Sequence, residues 1–188
     1  MKHFYLLISL FPSISLAINS QEVFSPDKNI KVELVSKMTS DKTSFGKVYF
    51  RVLYNMNSEY LEVLQNSPLG IIRDDQRFTD SLKFVGESKA LKIHDKYEMI
   101  SGKRKSCENF GTETAFNYLN SNNEPLRIVF RAYNNGVAFR YEFPNKSDSI
   151  FNISDEATTY VLHDSTYRWM QPYDISYEGF FPVSRTGE

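Results

Sequence analysis

An all-β fold of antiparallel strands is what this sequence predicts, and three observations predict it. Tyr and Phe are abundant, at 12 and 15 of 188 residues, and aromatic and β-branched side chains suit a pleated, half-buried surface. The apolar runs are short and are punctuated by Asn, Asp, Ser and Gly, the residues that turn a chain. Third, residues 126–144, LRIVFRAYNNGVAFRYEFP, set two alternating runs on either side of Asn134-Asn135-Gly136. In the second run Val137, Phe139, Tyr141 and Phe143 share one face, while Ala138, Arg140 and Glu142 share the other. That is the period of a strand with one dry side. Asn-Gly at the centre predicts a tight type I′ hairpin, whose two central residues need positive φ. Pro144 has no amide to donate and ends the strand.

The chain opens with MKHFYLLISLFPSISLA, residues 1–17. A cationic start, a short apolar run broken by Pro12 and a small-x-small ending at Ser15-Leu16-Ala17 describe a secretory signal peptide. A membrane span would need ~20 apolar residues. Residues 18–188 are then a single domain, and the protein is expected to be exported, to the periplasm or outside the cell. The formal net charge is −1 with both signs interspersed, which offers nothing to nucleic acid or to an anionic membrane. Cys107 is the single cysteine, so an internal disulfide is excluded.

The elements follow in order. Ser25-Pro26-Asp27-Lys28-Asn29 is turn chemistry, after which Ile30, Val32 and Leu34 alternate with Lys31 and Glu33. Beyond a polar turn at 39–44, Val48, Phe50, Val52 and Tyr54 share one face of a second strand. The two form an antiparallel pair. Residues 74–80 read as a polar loop, and 82–85 as a further strand. Residues 89–97 read equally as a strand or a short helix. Lys103-Arg104-Lys105 is a solvated loop or edge rather than an anion site. ETAFNYL (113–119) pairs with the strand at 126 across the turn at 120–125, giving a three-strand meander centred on the hairpin. Residues 151–153 and 158–162 read as two more strands.

Catalytic constellations are sparse. There is no G-x-S-x-G elbow, no C-x-x-C or H-x-x-x-H, and no Gly-rich phosphate loop. His163 beside Asp164 reads as a turn feature. Asp and Glu are plentiful, but no spacing pairs two of them as a glycosidase requires.

The stretch 126–144 nevertheless resembles the amino-terminal domain of glycoside hydrolase family 97. Phe130-Arg131, then Tyr133-Asn134-Asn135-Gly136-Val137-Ala138, then Phe139 to Pro144 fill every position of the family's pattern. Ser25-Pro26-Asp27 ahead of Ile30 and Val32 is similar to the way those domains begin. Ser67-Pro68-Leu69-Gly70-Ile71 is similar to one of their strands. The resemblance implies a two-sheet, galactose-mutarotase-like (super)sandwich. It also implies an exported α-glucosidase or α-galactosidase, acting on α-linked oligosaccharides, whose reacting carboxylates lie on a (β/α)8 barrel that follows this domain. The family's first domain continues past this chain's last strand, so the chain is expected to be a truncated piece, inactive by itself. The family's calcium takes one ligand from this domain, a Glu in a Trp-x(8)-Glu spacing. Counted from Trp169, that residue is Glu178. Calcium is a hard cation with six to eight oxygen ligands, so one carboxylate from a neighbouring domain suits it. The aromatics around Glu178 (Tyr167, Trp169, Tyr173, Tyr177, Phe180 and Phe181) read as core or domain-interface residues. The alternative is a stand-alone carbohydrate-binding module that stacks sugars on them. A mutarotase-like epimerase would want two His and a Glu around the sugar, and His94 and His163 stand in unmatched contexts.

Overall fold

A computed structural model describes residues 21–38, 46–176 and 178–184. The signal peptide and the turn at 39–44 lie outside the described residues. One sheet holds β1 (Gln21–Phe24), β2 (Ile30–Met38), β3 (Gly46–Met56) and β4 (Glu59–Pro68), in that spatial order. A second holds β7 (Lys83–Glu87), β8 (Leu91–Glu98), β9 (Ser106–Leu119), β10 (Pro125–Tyr133) and β11 (Gly136–Glu142). Its order is β11-β10-β9-β7, with β8 also on β9. Between them in sequence, β5 (Ile71–Arg73) and β6 (Arg77–Phe78) join β12 (Ile153–Glu156) in a small third sheet. Finally, β13 (Arg168–Trp169) pairs with β14 (Val183–Ser184). All pairings among these strands are antiparallel, as the alternating patterns require.

The two large sheets face each other as a sandwich. Val32, Leu34, Val48 and Phe50 of the first meet Phe116, Tyr118, Ile128 and Phe130 of the second in one continuous core. Each of these positions is an alternate residue of its strand, so period two becomes a dry interior. Phe130 packs 5.5 Å from Phe50 and 5.4 Å from Phe139, centroid to centroid. Each such ring pair adds ~0.5–1.5 kcal/mol beyond its burial. Val137, Phe139, Tyr141 and Phe143 all pack against the core, as their spacing predicts.

The hairpin and meander form with continuous register from Arg127↔Glu142 to Tyr133↔Gly136 and from Pro125↔Leu119 to Tyr133↔Gly111. The turn between β10 and β11 differs from expectation. Its two loop residues are Asn134 and Asn135, and neither they nor Gly136 has a positive φ, so it is not type I′. Asn134 Oδ1 instead accepts a 3.2 Å hydrogen bond from the Asp27 amide of the β1–β2 turn. The type I′ geometry occurs at the β3–β4 hairpin, where Asn57 (φ 55°) and Ser58 (φ 71°) join Met56 to Glu59.

Residues 89–97 resolve as strand β8, and the loop at 74–80 contains the short β6. The strand expected at 67–71 divides at Leu69-Gly70 into the end of β4 and the start of β5. The segment 158–162 runs beside β4 without forming a regular strand. Thr159 N donates to Pro68 O (3.1 Å) and Gln65 N to Val161 O (3.0 Å). Val161 N, however, donates to Ser67 Oγ at 2.9 Å, and Pro68 has no amide for the next rung. A side-chain acceptor and a missing donor together interrupt the ladder.

Candidate functional site

The one ligand position expected from sequence lies in the loop that β13 and β14 close. Trp169↔Val183 and Arg168↔Ser184 form its base, tightened by a 3.1 Å hydrogen bond from Arg168 Nε to Ser184 Oγ. Inside it, Asp174 Oδ1 accepts from the Ser176 amide (2.8 Å) and hydroxyl (2.6 Å). This Asx-type turn follows from the short acceptor side chain two residues upstream. The Ser176 hydrogen bonds hold the Asp174 carboxyl below the usual carboxylate range. The Glu178 amide reaches Ser176 Oγ at 3.4 Å, the next link of the chain of turns.

Glu178, Asp174, Tyr173, Gln171 and Phe180 line one recess of about 460 Å³. Glu178 is exposed, and its carboxylate has no hydrogen-bond or ion-pair partner among the described residues. Gly179 allows the floor to close: a Cβ there would sit 2.6 Å from Gln171 Nε2. That amide nitrogen is itself buried without an acceptor among the described residues. The recess therefore exposes one unengaged carboxylate and buries one unsatisfied donor.

The aromatics expected to surround Glu178 are outside the core. Trp169 is 67% exposed, Tyr173 90% and Phe180 94%. Tyr173 and Phe180 share the recess with Glu178, and Trp169 sits at the loop's base. Tyr177 lies outside the described residues.

A free carboxylate of a hard oxygen donor fits calcium as one ligand. It is not a complete shell: no group of three or more His, Cys, Asp or Glu gathers among the described residues. His163 lies in a turn, where its carbonyl accepts from Thr166 N at 2.9 Å. His94 is 2.5 Å from Glu108 and stacks on Phe110, some distance in sequence from any second histidine. Lys103–Lys105 form an exposed loop joining β8 to β9, and Lys105 approaches Glu98 at 4.0 Å.

Two of the hairpin's three arginines, Arg131 and Arg140, have a structural task that spacing alone does not mark. On the outer face of the second sheet, Arg131 Nε donates to Glu113 at 2.5 Å and Arg140 Nη1 to the same carboxylate oxygen at 3.1 Å. Burial pushes the Glu113 carboxyl up, but the two guanidinium groups outweigh it and hold it below the usual range. Only the register Arg131↔Glu113 and Arg131↔Ala138 brings three strands' side chains together.

Comparison with known proteins follows the same lines. A model of the glycosyl-hydrolase 97 N-terminal domain matches residues 23–188. A probable retaining alpha-galactosidase of Streptomyces bingchenggensis (strain BCW-1) is 27% identical over 119 residues, covering 63% of this chain and 18% of that protein. Among solved structures, a β-arabinopyranosidase has a TM-score of 0.71 at 24% identity, over 86% of this chain and 26% of its own. A glycoside hydrolase family 97 enzyme of Pseudoalteromonas sp. strain K8, solved with acarbose, has a TM-score of 0.62 at 23% identity, over 81% and 22%. The chain thus spans about a fifth of the curated relative it matches and about a quarter of these structures.

Proposed function

The chain belongs to glycosyl-hydrolase family 97 as its N-terminal domain, and from this we propose that it serves an exported, calcium-dependent α-glycosidase as an interface and metal-ligand domain. Glu178 supplies one calcium ligand, and the remaining ligands and the reacting carboxylates come from a (β/α)8 barrel docked against it. The substrate class is an α-linked gluco- or galacto-oligosaccharide. The relation to an alpha-galactosidase supports that class.

The observation that carries the reading is the coincidence of an unengaged Glu178 carboxylate with a rim of exposed rings. Tyr173 and Phe180 supply apolar area for a partner domain, and burying each contributes ~1.5–3 kcal/mol. Docking would seal the recess, exclude water from Glu178 and so strengthen its hold on a cation. The bound calcium would supply Lewis-acid polarisation near the scissile bond. With Glu178 as the one ligand it contributes and the reacting carboxylates on the barrel, the chain by itself neither holds calcium tighter than about 1 mM nor hydrolyses glycosides.

The test is Glu178→Gln in the enzyme that carries this domain, with calcium affinity read by calorimetry. A loss of tenfold or more is expected, on the scale of ligand-shell substitutions. Unchanged affinity, or turnover of an aryl α-glycoside by the chain alone, overturns the reading. The exposure of Trp169 also favours a second reading, a stand-alone carbohydrate-binding module. Saturable quenching of Trp169 fluorescence by maltose or melibiose would support it, and a flat titration would remove it. Cleavage after Ala17, read by N-terminal sequencing of the secreted product, tests export.

A further inference from the structure

We propose that the groove between β1 and the β8–β9 arm is a saccharide site, lined by none of the residues of the Glu178 recess, that takes an anionic sugar bearing a carboxylate. β9 buries Phe116 and Tyr118 in the core, but its N-terminal half runs on past the sandwich, paired only with β8 from Leu91↔Glu113 to Glu98↔Ser106 on that side. The core-side face of this arm carries Phe110, Thr112 and Lys92, since they alternate in phase with Phe116 and Tyr118. Opposite stands β1 with the turn that follows it. The space between is a groove of about 650 Å³, inside the range that holds small ligands.

The lining has the composition of a sugar subsite. Val23 and the ring of Phe110 give it an apolar floor, and Thr112, Lys28 and Lys92 stand among them. Phe110 is 51% exposed, and its ring is held by His94 stacked at 4.4 Å, which is in turn tied to Glu108. One face of a pyranose is C–H rich, and a fixed ring meets it at little entropic cost. Lys28 and Lys92 have no ion-pair partner among the described residues. Glu22, the one carboxylate of the lining, lies 3.7 Å from Lys31. Two uncompensated ammonium groups on an apolar groove select a negative group on the sugar.

The groove is also preorganised. Lys28 sits at φ 60° in a turn whose backbone is fixed by Lys28 N to Ser25 O (2.9 Å) and by Tyr60 Oη to Lys28 O (2.8 Å). The same turn is anchored to the β10–β11 loop through Asp27 N and Asn134 Oδ1.

The ligand class rests on the carbohydrate reading above, but the geometry does not involve Glu178. The chain is titrated calorimetrically with trigalacturonate, without calcium, and with maltotriose as the neutral control. Saturable binding of trigalacturonate is expected, at least about tenfold tighter than maltotriose and weakened in about 0.5 M salt. Joint Lys28→Gln and Lys92→Gln substitution should lower affinity roughly tenfold. Phe110→Ala should abolish binding and Phe110→Tyr retain it, with circular dichroism checking the fold of each. Absence of binding, equal affinity for maltotriose, or indifference to these substitutions overturns the proposal. Because calcium is left out, failure here and failure of the Glu178 measurement are separate results.

Discussion

The Gly70 amide donates a 2.8 Å hydrogen bond to Tyr141 Oη, across 71 positions of sequence. Tyr141 belongs to the hairpin that identifies the family by pattern, and Gly70 to the short Ser67–Ile71 stretch. The tyrosine oxygen also lies 2.6 Å from Thr158 Oγ1, so one phenol ties β11, the β4–β5 junction and the segment after β12. Tyr141→Phe keeps the ring and leaves the Gly70 amide without its partner. A loss of ~1–3 kcal/mol is expected, read as a lower urea midpoint. An unchanged midpoint would show that the clamp contributes nothing.

Gly70 sits where the chain closely approaches Thr79. A Cβ there would lie 3.0 Å from Thr79 Cγ2 and 3.2 Å from Thr79 Cα. Gly70→Ala should cost ~1–3 kcal/mol by overpacking. Adding Thr79→Ala should recover only part of it, because the main-chain contact stays. Full recovery in the double variant would place the whole cost on the methyl group.

The two tight hairpins respond oppositely to glycine. Ser58, at φ 71°, occupies the left-handed region that an L-residue adopts at a cost. Ser58→Gly should therefore raise stability by ~0.5–1 kcal/mol. Asn135 has no positive φ, and Asn135→Gly should lower stability by a similar ~0.5–1 kcal/mol through chain entropy. Equal effects in urea unfolding would contradict the assigned turn geometries.

Stability should fall at both ends of the pH range. Burial raises the Glu33 carboxyl, but the hydrogen bonds and charges of Lys31 and Arg51 outweigh it and bring it below the ordinary value of 4.5, as the arginines do for Glu113. A carboxyl depressed in the folded state contributes stability above its unfolded pKa and loses it as pH falls through the folded one. Unfolding should thus become easier below about pH 4.5. Glu33→Gln should flatten that acid limb. Burial pushes the Tyr118 and Tyr141 phenols above their ordinary value of 10.0. Their contribution is complete below that value and declines as pH rises past it, because the unfolded chain ionises first. Urea midpoints at about pH 3, 7 and 11 test both limbs; a flat profile would contradict them.

The sequence by itself determined the strands that begin at Ile30, run through Val48–Tyr54 and flank Asn134-Asn135, and which of their faces are dry. Period two is a local property, and Val32 with Leu34 or Phe139 with Tyr141 carry it whatever lies opposite. It also determined the meander, since the turns at 120–125 and 134–135 leave consecutive strands only one short way to pair. Tertiary structure decided the rest. Asn134-Asn135-Gly136 has the residues of a type I′ turn, yet the Asp27 amide 107 positions away engages Asn134 and the turn takes another form. Segment 158–162 has strand periodicity, yet Ser67 Oγ takes the hydrogen bond a carbonyl would have accepted. The Glu178 recess and the Phe110 groove were likewise illegible, because each is assembled from positions that only register and packing make neighbours. Alternation fixes a side chain's face; what stands opposite that face is a long-range fact, set by the free energy of the whole core.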